Sequence, residues 1–285
     1  MNAPVAPFSH LSTLWIQVTG TWCNLQCVHC INASGPTDPW LNSLDTESVK
    51  RSIKEAEGLG VKEVYFTGGE PFLHRDILAL LAFSLQVAPT TILTNGTLIT
   101  EKVADTLATL ASVSPYSLEM RISVDDIEAA QNDRIRGKGA FAKAVRAIQL
   151  LHARGLLPIL TATEILQDEL PVGSVMYERF RTFLLSIGIE KPRVKIMPIF
   201  PIGRMAGEGG PVLTAEQLQG FDFSRLQCSE TRVVADDGVY SCPILAGLPE
   251  ARLSEGSVQE ALTACRLYHP ACVTCYQTGM TCKNF

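Results

Sequence analysis

The sequence predicts an α/β fold in which about six parallel strands alternate with helices, followed by a small cysteine-rich extension. Three observations lead to this prediction. Strand-like and helical runs alternate, glycine-rich and polar motifs follow the strands, and the pattern becomes irregular after residue 201. Repeated strand–helix alternation indicates parallel strands, because a helical crossover returns the chain to begin the next strand in the same direction.

Six runs rich in β-branched and apolar residues predict the strands. They lie at 14–19, 62–67, 90–94, 118–124, 157–163 and 193–199. Helical periodicity occupies segments between them, most clearly over 49–56, after a cap at Asp45 and Thr46, and over 141–151.

The segment "PIGRMAGEGGP" (201–211) predicts a linker, because glycine and proline interrupt regular structure. The sequence that follows it is irregular and contains most of the cysteines. We therefore expect one domain over 13–204 and a small second domain over 205–285.

The composition is that of an ordinary globular protein, with 46% apolar and 19% charged residues among 285. A formal net charge of −5, without a run of Lys or Arg, argues against nucleic acid as a partner, because phosphate binding needs a concentrated basic surface. The first residues lack the pattern of a signal peptide, and the most apolar run, "ILALLAF", is too short to cross a bilayer. We expect a cytoplasmic protein without a membrane partner.

The nine cysteines form two groups, three near residue 25 and six between 228 and 282. Cytoplasmic thiols stay reduced, so disulfides do not account for them. Cysteines that only fill a hydrophobic core would be scattered along the chain. The grouping predicts metal binding at two separate places.

The unusual motifs all follow predicted strands. In chain order they are the loop with the first three cysteines, "GGEP" (68–71), "NG" (95–96), "SVDD" (123–126), Glu164 and "PIGR" (201–204). The carboxyl ends of parallel strands meet at one rim, where active sites of α/β barrels are assembled. Two glycines alone would be explained by a simple turn, but six such positions predict an active site at this rim.

Cys23, Cys27 and Cys30 are the candidate metal ligands of the first group. With His29 they could form a Cys3His zinc site, although adjacent His29 and Cys30 would have difficulty reaching the same ion. A [4Fe–4S] cluster binds one thiolate per iron, so three cysteines leave its fourth iron open. The missing ligand is then a place for a substrate or cofactor.

These motifs resemble those of the radical S-adenosylmethionine (SAM) enzymes. "CNLQCVHC", spaced C-x3-C-x2-C, is followed by "TGGEP" and "ISVDD" in the order of that family, and the resemblance covers residues 14 to about 204. It implies a partial (β/α)6 barrel in which the open iron binds SAM. It also implies that one electron from the cluster cleaves SAM, and that the 5′-deoxyadenosyl radical takes a hydrogen atom from substrate.

The resemblance assigns six residues to SAM binding: Gly68, Gly69, Glu70, Ser123, Asp125 and Arg136. The two glycines and the carboxylate match the motif that receives the methionine ammonium, a task suited to a charge-assisted hydrogen bond. The serine and aspartate match the position near the ribose hydroxyls. "NDRIRG" (132–137) resembles the D-x-x-R-G pattern, which makes Arg136 the preferred carboxylate partner and Arg134 its rival.

The second cysteine group resembles the SPASM/twitch extension of the same family. Cys228 and Cys242 flank a predicted hairpin with Asp237-Gly238 at its turn, and a C-x2-C pair follows. The segment alone is equally consistent with a zinc ribbon. The twitch pattern implies an auxiliary [4Fe–4S] cluster on four cysteines: Cys228, Cys242, Cys272 and Cys275. Cys265 and Cys282 remain as core residues, as ligands in another arrangement, or as a hydrogen donor.

The resemblance implies oxidation of a substrate C–H, with the auxiliary cluster accepting an electron. We expect a small polar metabolite such as an aminosugar or polyol, and an electron donor such as flavodoxin or ferredoxin. The alternatives are maturation of a ribosomal peptide and epimerisation with Cys265 or Cys282 as hydrogen donor. A non-enzymatic iron–sulfur carrier or zinc protein would need neither "GGEP" nor "SVDD".

Overall fold

The structure, a computed structural model, describes residues 3–37, 39–164, 172–207 and 209–279, without the side chains of 172–174. The strands of this part of the chain are β1 (Val5–Ala6), β2 (Thr13–Gln17), β3 (Glu63–Thr67), β4 (Thr90–Thr94), β5 (Leu118–Ser123), β6 (Ile159–Thr163), β7 (Arg193–Met197), β8 (Thr231–Ala235), β9 (Gly238–Tyr240), β10 (Arg252–Ser254) and β11 (Cys265–Arg266). Its α-helices are α1 (Thr46–Gly58), α2 (Ile77–Ser84), α3 (Glu101–Val113), α4 (Ala129–Arg136), α5 (Ala140–His152), α6 (Val172–Ser186) and α7 (Pro270–Thr278).

Six strands form the parallel array that the sequence predicts. β2 to β7 pair in chain order, each parallel to the next, and at least one helix lies between each successive pair of strands. The predicted α/β fold is therefore confirmed. The sheet has two edge strands, β7 and β10, so it does not close into a complete barrel.

The segment after residue 205 extends the same sheet. β8 pairs in parallel with β2, and β9 and β10 continue outward in antiparallel order. β1 and β11 form a separate two-stranded sheet, which the sequence did not predict. The division at 204/205 stays a prediction, since three strands from beyond it belong to the central sheet.

The predicted hairpin between the cysteines is confirmed, with a shifted turn. Ala235 pairs with Gly238, so the two loop residues are Asp236 and Asp237, and the glycine begins β9. Gly238 has φ +150°, and a Cβ there would lie 2.4 Å from the carbonyl oxygen of Ser254. The position requires glycine because it combines an unusual backbone conformation with a close backbone approach.

Side chains alternate between two cores, as the two-residue period of a strand requires. Leu14 and Ile16 of β2 point outward and pack with the helices, where Val49, Ile53 and Ala56 of α1 are buried as predicted. Trp15 and Tyr65 face the interior, with ring centroids 4.4 Å apart. The interior core continues into the cysteine-rich extension, which places the two cysteine groups near each other.

The predicted cap of the first helix is also confirmed. Asp45 lies at the N-cap of α1 and accepts a hydrogen bond of 2.9 Å from the backbone N–H of Ser48. A carboxylate at this position satisfies one of the unpaired N–H groups of the first turn. None of the described helices is both long and apolar enough to span a bilayer.

Candidate active site

The first three cysteines lie on the long loop after β2 and share one wall of a cavity. Backbone bonds fold this loop: the N–H of Cys23 donates to Gly35 (3.0 Å), and the N–H of Gly35 donates to Thr21 (3.2 Å). The N–H of Cys30 donates to the carbonyl of Cys27 at 3.3 Å. The structure therefore brings the three predicted ligands together.

Cys23 and Cys27 lie in a partly apolar environment that disfavours the charged form of their thiols. Burial raises the pKa of Cys23 to about 12 and also raises the pKa of Cys27. Two loop N–H groups point at the sulfurs, from Leu25 to Cys23 at 3.4 Å and from Ser34 to Cys30 at 3.3 Å. Metal binding supplies the positive charge that thiolates need here, because a bound metal deprotonates a coordinating thiol.

A buried ion-pair network stands behind the cysteine loop. Asp125 lies 2.7 Å from Nε of Arg136, accepts a hydrogen bond from His29 Nε2 at 2.6 Å, and accepts another from the N–H of Thr163 at 2.8 Å. Burial alone would raise the pKa of Asp125, but Arg136 and His29 lower it to about 2. One ring nitrogen of His29 is therefore engaged by a carboxylate. Among the described residues His29 does not converge with the three cysteines on one ion, which does not support the Cys3His zinc site.

Arg136 faces both this network and the first cysteines. Its side chain is buried, its Nη1 lies 3.9 Å from Cys27 Sγ, and it lines the cavity. Arg134 is exposed. Burial thus agrees with the preference for Arg136 over Arg134, and the role of Arg136 as carboxylate partner of SAM remains a prediction. Asp125 does not line the cavity, and it affects the cavity only through the residues that it binds.

The turn after β3 passes very close to the cysteine loop. Gly68 has φ +138°, and a Cβ on Gly69 would lie 2.0 Å from the carbonyl oxygen of Trp22. The N–H of Glu70 donates to the same carbonyl at 3.0 Å. The two glycines line the cavity, and the close approach of the chain at Thr19 and Trp22 leaves no room for a side chain at either position.

Glu70 is fully buried and holds neighbouring elements in place. Its Oε1 accepts hydrogen bonds from Thr94 Oγ1 (2.6 Å) and the N–H of Phe72 (3.1 Å), and its Oε2 accepts one from the N–H of Asn95 (2.7 Å). Burial raises the pKa of Glu70 to about 6. Glu70 does not line the cavity, but Asn95 does, with Nδ2 3.9 Å from Cys23 Sγ. Binding of the methionine ammonium by Glu70 stays a prediction.

Arg204 is a site residue that the sequence reasoning did not assign. Its guanidinium donates to the carbonyls of Cys27 (2.9 Å), Ala33 (3.0 Å) and Ser34 (2.6 Å), and its backbone N–H donates to Cys30 (3.1 Å). It thereby ties the end of the parallel array to the cysteine loop. The only signal in the sequence was its place in "PIGR", after the sixth strand.

The cavity has a volume of about 240 Å3 and a partly polar interior. Its walls include Ser123, whose place near the ribose of SAM stays a prediction. They also include four side chains with a buried polar atom that has no hydrogen-bond partner: Trp15 Nε1, Gln17 Oε1, Ser34 Oγ and Thr161 Oγ1. Arg121 also contributes to the wall and is bound to Glu119 at 3.2 Å. Such polar atoms fit a ligand that carries hydrogen-bonding groups, because buried polar groups are normally paired.

The second cysteine group surrounds a smaller cavity. Its volume is about 30 Å3, and its walls include the four predicted ligands Cys228, Cys242, Cys272 and Cys275. Cys265, which the sequence reasoning left over, is buried and hydrogen-bonded to the thiol of Cys228. Cys282 lies outside the described residues. Ile244 lines both cavities, so the two sites are neighbours.

The thiols at either site are not arranged for a single ion. Among the described residues no three or more His, Cys, Asp or Glu side chains converge closely enough to hold one metal ion. The cysteines instead line the walls of cavities. Ligands of a multi-iron cluster each bind a different iron, so they are spread around it.

The sequence profile of the radical SAM superfamily matches residues 18–166 of this chain. The chain belongs to the radical SAM superfamily. The match includes the cysteine loop, the turn after β3, the end of β5 at Ser123 and the segment after it with Asp125. The family resemblance drawn from the motifs is confirmed.

Curated relatives support the same assignment. Over 134 residues the chain is 40% identical to the mycofactocin maturase MftC of Mycolicibacterium smegmatis. These residues make up 47% of this chain and 32% of that protein. It is 31% identical over 199 residues to an AdoMet-dependent heme synthase of Oleidesulfovibrio alaskensis, 69% of this chain and 48% of that protein. The matched region thus spans about a third to a half of these relatives.

Two solved radical SAM structures share the fold. Streptococcus suis SuiB bound to the precursor peptide SuiA has a TM-score of 0.65 at 15% identity, covering 86% of this chain and 62% of that chain. The enzyme anSMEcpe with bound AdoMet has a TM-score of 0.62 at 17% identity, and the match covers 87% of this chain and 79% of that chain. At these identities the likeness concerns the fold.

Members of the radical SAM superfamily, to which this chain belongs, use a [4Fe–4S] cluster and SAM. The residues at the first site fit both groups. Three thiols and a side-chain-free backbone edge at Gly68 and Gly69 face one cavity, which also contains the buried guanidinium of Arg136. Thiolates are the ligands that iron–sulfur clusters take, and a guanidinium suits a carboxylate.

Proposed function

We propose that this chain oxidises a C–H bond of a peptide substrate, with an auxiliary [4Fe–4S] cluster at the second cysteine site as electron acceptor. The observation that carries the proposal is the adjacency of the two cysteine sites, whose cavities share Ile244 as a wall. A substrate in the central cavity would lie between SAM on one side and the auxiliary cluster on the other. Residues 13–204 would supply the first site and 205–285 the second.

The proposed reaction removes two electrons from the substrate. When bound, the first cluster and SAM would supply a 5′-deoxyadenosyl radical, with release of methionine, and this radical would take one hydrogen atom from the substrate. Cys228, Cys242, Cys272 and Cys275 would hold the auxiliary cluster that accepts the second electron, and one proton would pass to solvent as the new bond forms. An external donor, such as flavodoxin or ferredoxin, supplies the electron that cleaves each SAM.

A peptide is preferred because of the name of one similar protein and the molecule bound to another. One curated relative is named as a maturase, and SuiB was solved with a precursor peptide. This preference replaces the expectation of a small metabolite that the sequence alone favoured. It rests on relatives of which this chain covers only a part.

A small polar metabolite is the second candidate, supported by the cavity itself. Its walls carry several unpaired polar atoms, which suit the hydrogen-bonding groups of a polar metabolite as well as those of a peptide. Epimerisation receives less support. Among the described cysteines, Cys265 lies against Cys228 at the second site and does not line the central cavity, as a hydrogen donor would have to.

The test combines SAM turnover with product analysis in deuterated water. Reduced, reconstituted enzyme is incubated with SAM and two substrate pools, one of short peptides and one of aminosugars and polyols. We expect a peptide to raise 5′-deoxyadenosine formation and to yield a product lacking two hydrogens, with one SAM consumed per product. Deuterium on an inverted carbon without net oxidation would instead establish an epimerase.

A further inference from the structure

Arg232 is a fully buried cation beside the second cysteine site. It extends from β8, and all its hydrogen bonds go to neutral carbonyl oxygens. Nε donates to Ala261 (2.6 Å), Nη1 to Cys228 (3.0 Å) and Thr231 (2.5 Å), and Nη2 to Thr263 (2.5 Å). The guanidinium is therefore held rigidly against the backbone of one proposed ligand.

Within the described part of the chain, no carboxylate forms an ion pair with Arg232. The ring of Phe8 covers the guanidinium instead, with the ring centroid 3.9 Å from Cζ. A buried charge without a counter-charge is costly, even when its hydrogen bonds are satisfied. The position calls for an anion that the protein side chains alone do not supply.

The neighbouring cysteines can supply that anion when they bind metal as thiolates. The charge of Arg232 interacts with Cys265, Cys228 and Cys242. A [4Fe–4S] cluster with four thiolates carries a net negative charge and becomes more negative when it is reduced. A fixed cation in a buried environment therefore stabilises the reduced form more than the oxidised form.

The first site is built differently. Its buried cation, Arg136, is paired with Asp125 at 2.7 Å, so the two charges offset each other. Arg204, also at the first site, is half-buried, so solvent screens part of its charge. The cluster that must donate an electron to SAM thus lies beside a neutralised pair, whereas the proposed acceptor lies beside an uncompensated cation.

We propose that Arg232 raises the reduction potential of the auxiliary cluster and thereby makes it the electron acceptor of the reaction. This inference rests on the proposed function and adds a residue that sets the potential of the auxiliary cluster. Arg232 is a positioning residue in this account, since it touches neither substrate nor SAM. A purely structural role for its carbonyl bonds would affect stability but not the potential.

The test is a redox titration of the reconstituted protein, followed by the EPR signals of the two clusters. Arg232→Gln should shift the reduction equilibrium of the auxiliary cluster at least tenfold toward the oxidised form, which corresponds to about 59 mV for a one-electron couple. Arg232→Lys, which keeps the charge, should shift it much less. The potential of the first cluster serves as the internal control and should stay unchanged.

A matched pair at Phe8 tests the charge without removing the arginine. Phe8→Glu places a carboxylate over the guanidinium and should lower the auxiliary potential as Arg232→Gln does. Phe8→Gln has nearly the same size without charge and should leave the potential unchanged. If Arg232→Gln does not retain its second cluster, this pair of variants still tests whether the charge of Arg232 sets the auxiliary potential.

The outcomes separate this inference from the proposed function. The role of Arg232 alone would be overturned if the wild-type protein has two clusters and neither Arg232→Gln nor Phe8→Glu changes the potential of the auxiliary cluster. If Arg232→Gln loses that cluster, an unchanged potential in Phe8→Glu is sufficient to overturn it. Iron for only one cluster in the wild-type protein would overturn the proposed auxiliary cluster, and the inference with it. Equal shifts in Phe8→Glu and Phe8→Gln would assign the effect to packing and reject the charge mechanism.

Discussion

At the scale of single residues, several side chains hold the active-site walls without lining the cavity. Glu70 accepts three hydrogen bonds from the ends of β3 and β4, and Asp125 joins His29 to Arg136. Arg204 binds three carbonyls of the cysteine loop. Each of these side chains holds cavity-lining residues or the cysteine loop in position. Its replacement should therefore alter cofactor binding as well as the stability of the fold.

Glu70→Gln should weaken SAM binding by about 1.5–3 kcal/mol, roughly 10- to 150-fold, while both clusters are retained. The amide removes the negative charge and places an N–H₂ group among donors from Thr94, Phe72 and Asn95. Equilibrium titration with SAM measures the effect.

Glu55→Gln is a matched control for this variant. Glu55 also accepts three hydrogen bonds, from Ser257, Val258 and Gln259, but it lies away from the cavity. It should change stability without changing SAM affinity. Equal SAM affinity in the wild type and Glu70→Gln would show that the Glu70 carboxylate does not shape the SAM site.

Arg204→Gln should lower the iron content of the first site after reconstitution. The variant loses bonds to the carbonyls of Cys27 and Ser34, each worth about 1 kcal/mol net, and the loop that positions the thiols loosens. Iron analysis and SAM cleavage measure the loss. Arg146→Gln, at an exposed arginine of α5, is the control. A normal iron content at the first site in Arg204→Gln would show that Arg204 is not needed to hold the cysteine loop.

At the scale of secondary-structure elements, glycine turns set the distances between the strand ends and the cysteines. The turn at Gly68 and Gly69 approaches the cysteine loop, and the hairpin β8–β9 carries Cys228 and Cys242 at its two ends. Both turns have backbone neighbours where a side chain would lie. The elements therefore depend on the absence of a Cβ.

Gly238→Ala should destabilise the hairpin by about 1–3 kcal/mol and reduce iron at the second site. The added Cβ would meet the carbonyl of Ser254, and φ +150° is unfavourable for alanine. Thermal unfolding and iron analysis test this. Gly256→Ala, with no atom within 4 Å of the added Cβ, should have little effect; equal effects of both variants would show that the turn does not require glycine.

At the scale of the whole molecule, the extension and the parallel array form one continuous sheet. β8 pairs with β2, the strand that leads into the first cysteine loop. The second cysteine site is thereby attached to the strand beside the first. This arrangement gives the proposed electron transfer a fixed geometry.

Reconstituted protein should contain ~8 Fe per chain, and the Cys23/Cys27/Cys30→Ala triple variant ~4, because each [4Fe–4S] cluster holds four irons. The triple variant should not cleave SAM. Cys265→Ser and Cys275→Ser, measured in the same way, decide which thiol completes the auxiliary ligand set. About 4 Fe together with tightly bound zinc in the wild-type protein would contradict the auxiliary cluster.

The sequence by itself determined the six strands, the helical crossovers, the three-cysteine loop and the family. The strands, the crossovers and the cysteine loop follow from periodicity and spacing within short segments, which the local sequence dictates. The family follows from the resemblance of three motifs to those of the radical SAM enzymes. Only the tertiary structure decided that Asp125 and Glu70 are covered, that Arg204 holds the loop and that Cys265 joins the second site. Their partners are distant in the chain, 96 residues between His29 and Asp125 and 177 between Arg204 and Cys27. Which distant side chains meet depends on how the strands are ordered and packed, as in the pairing of β8 with β2, and no local pattern encodes that order.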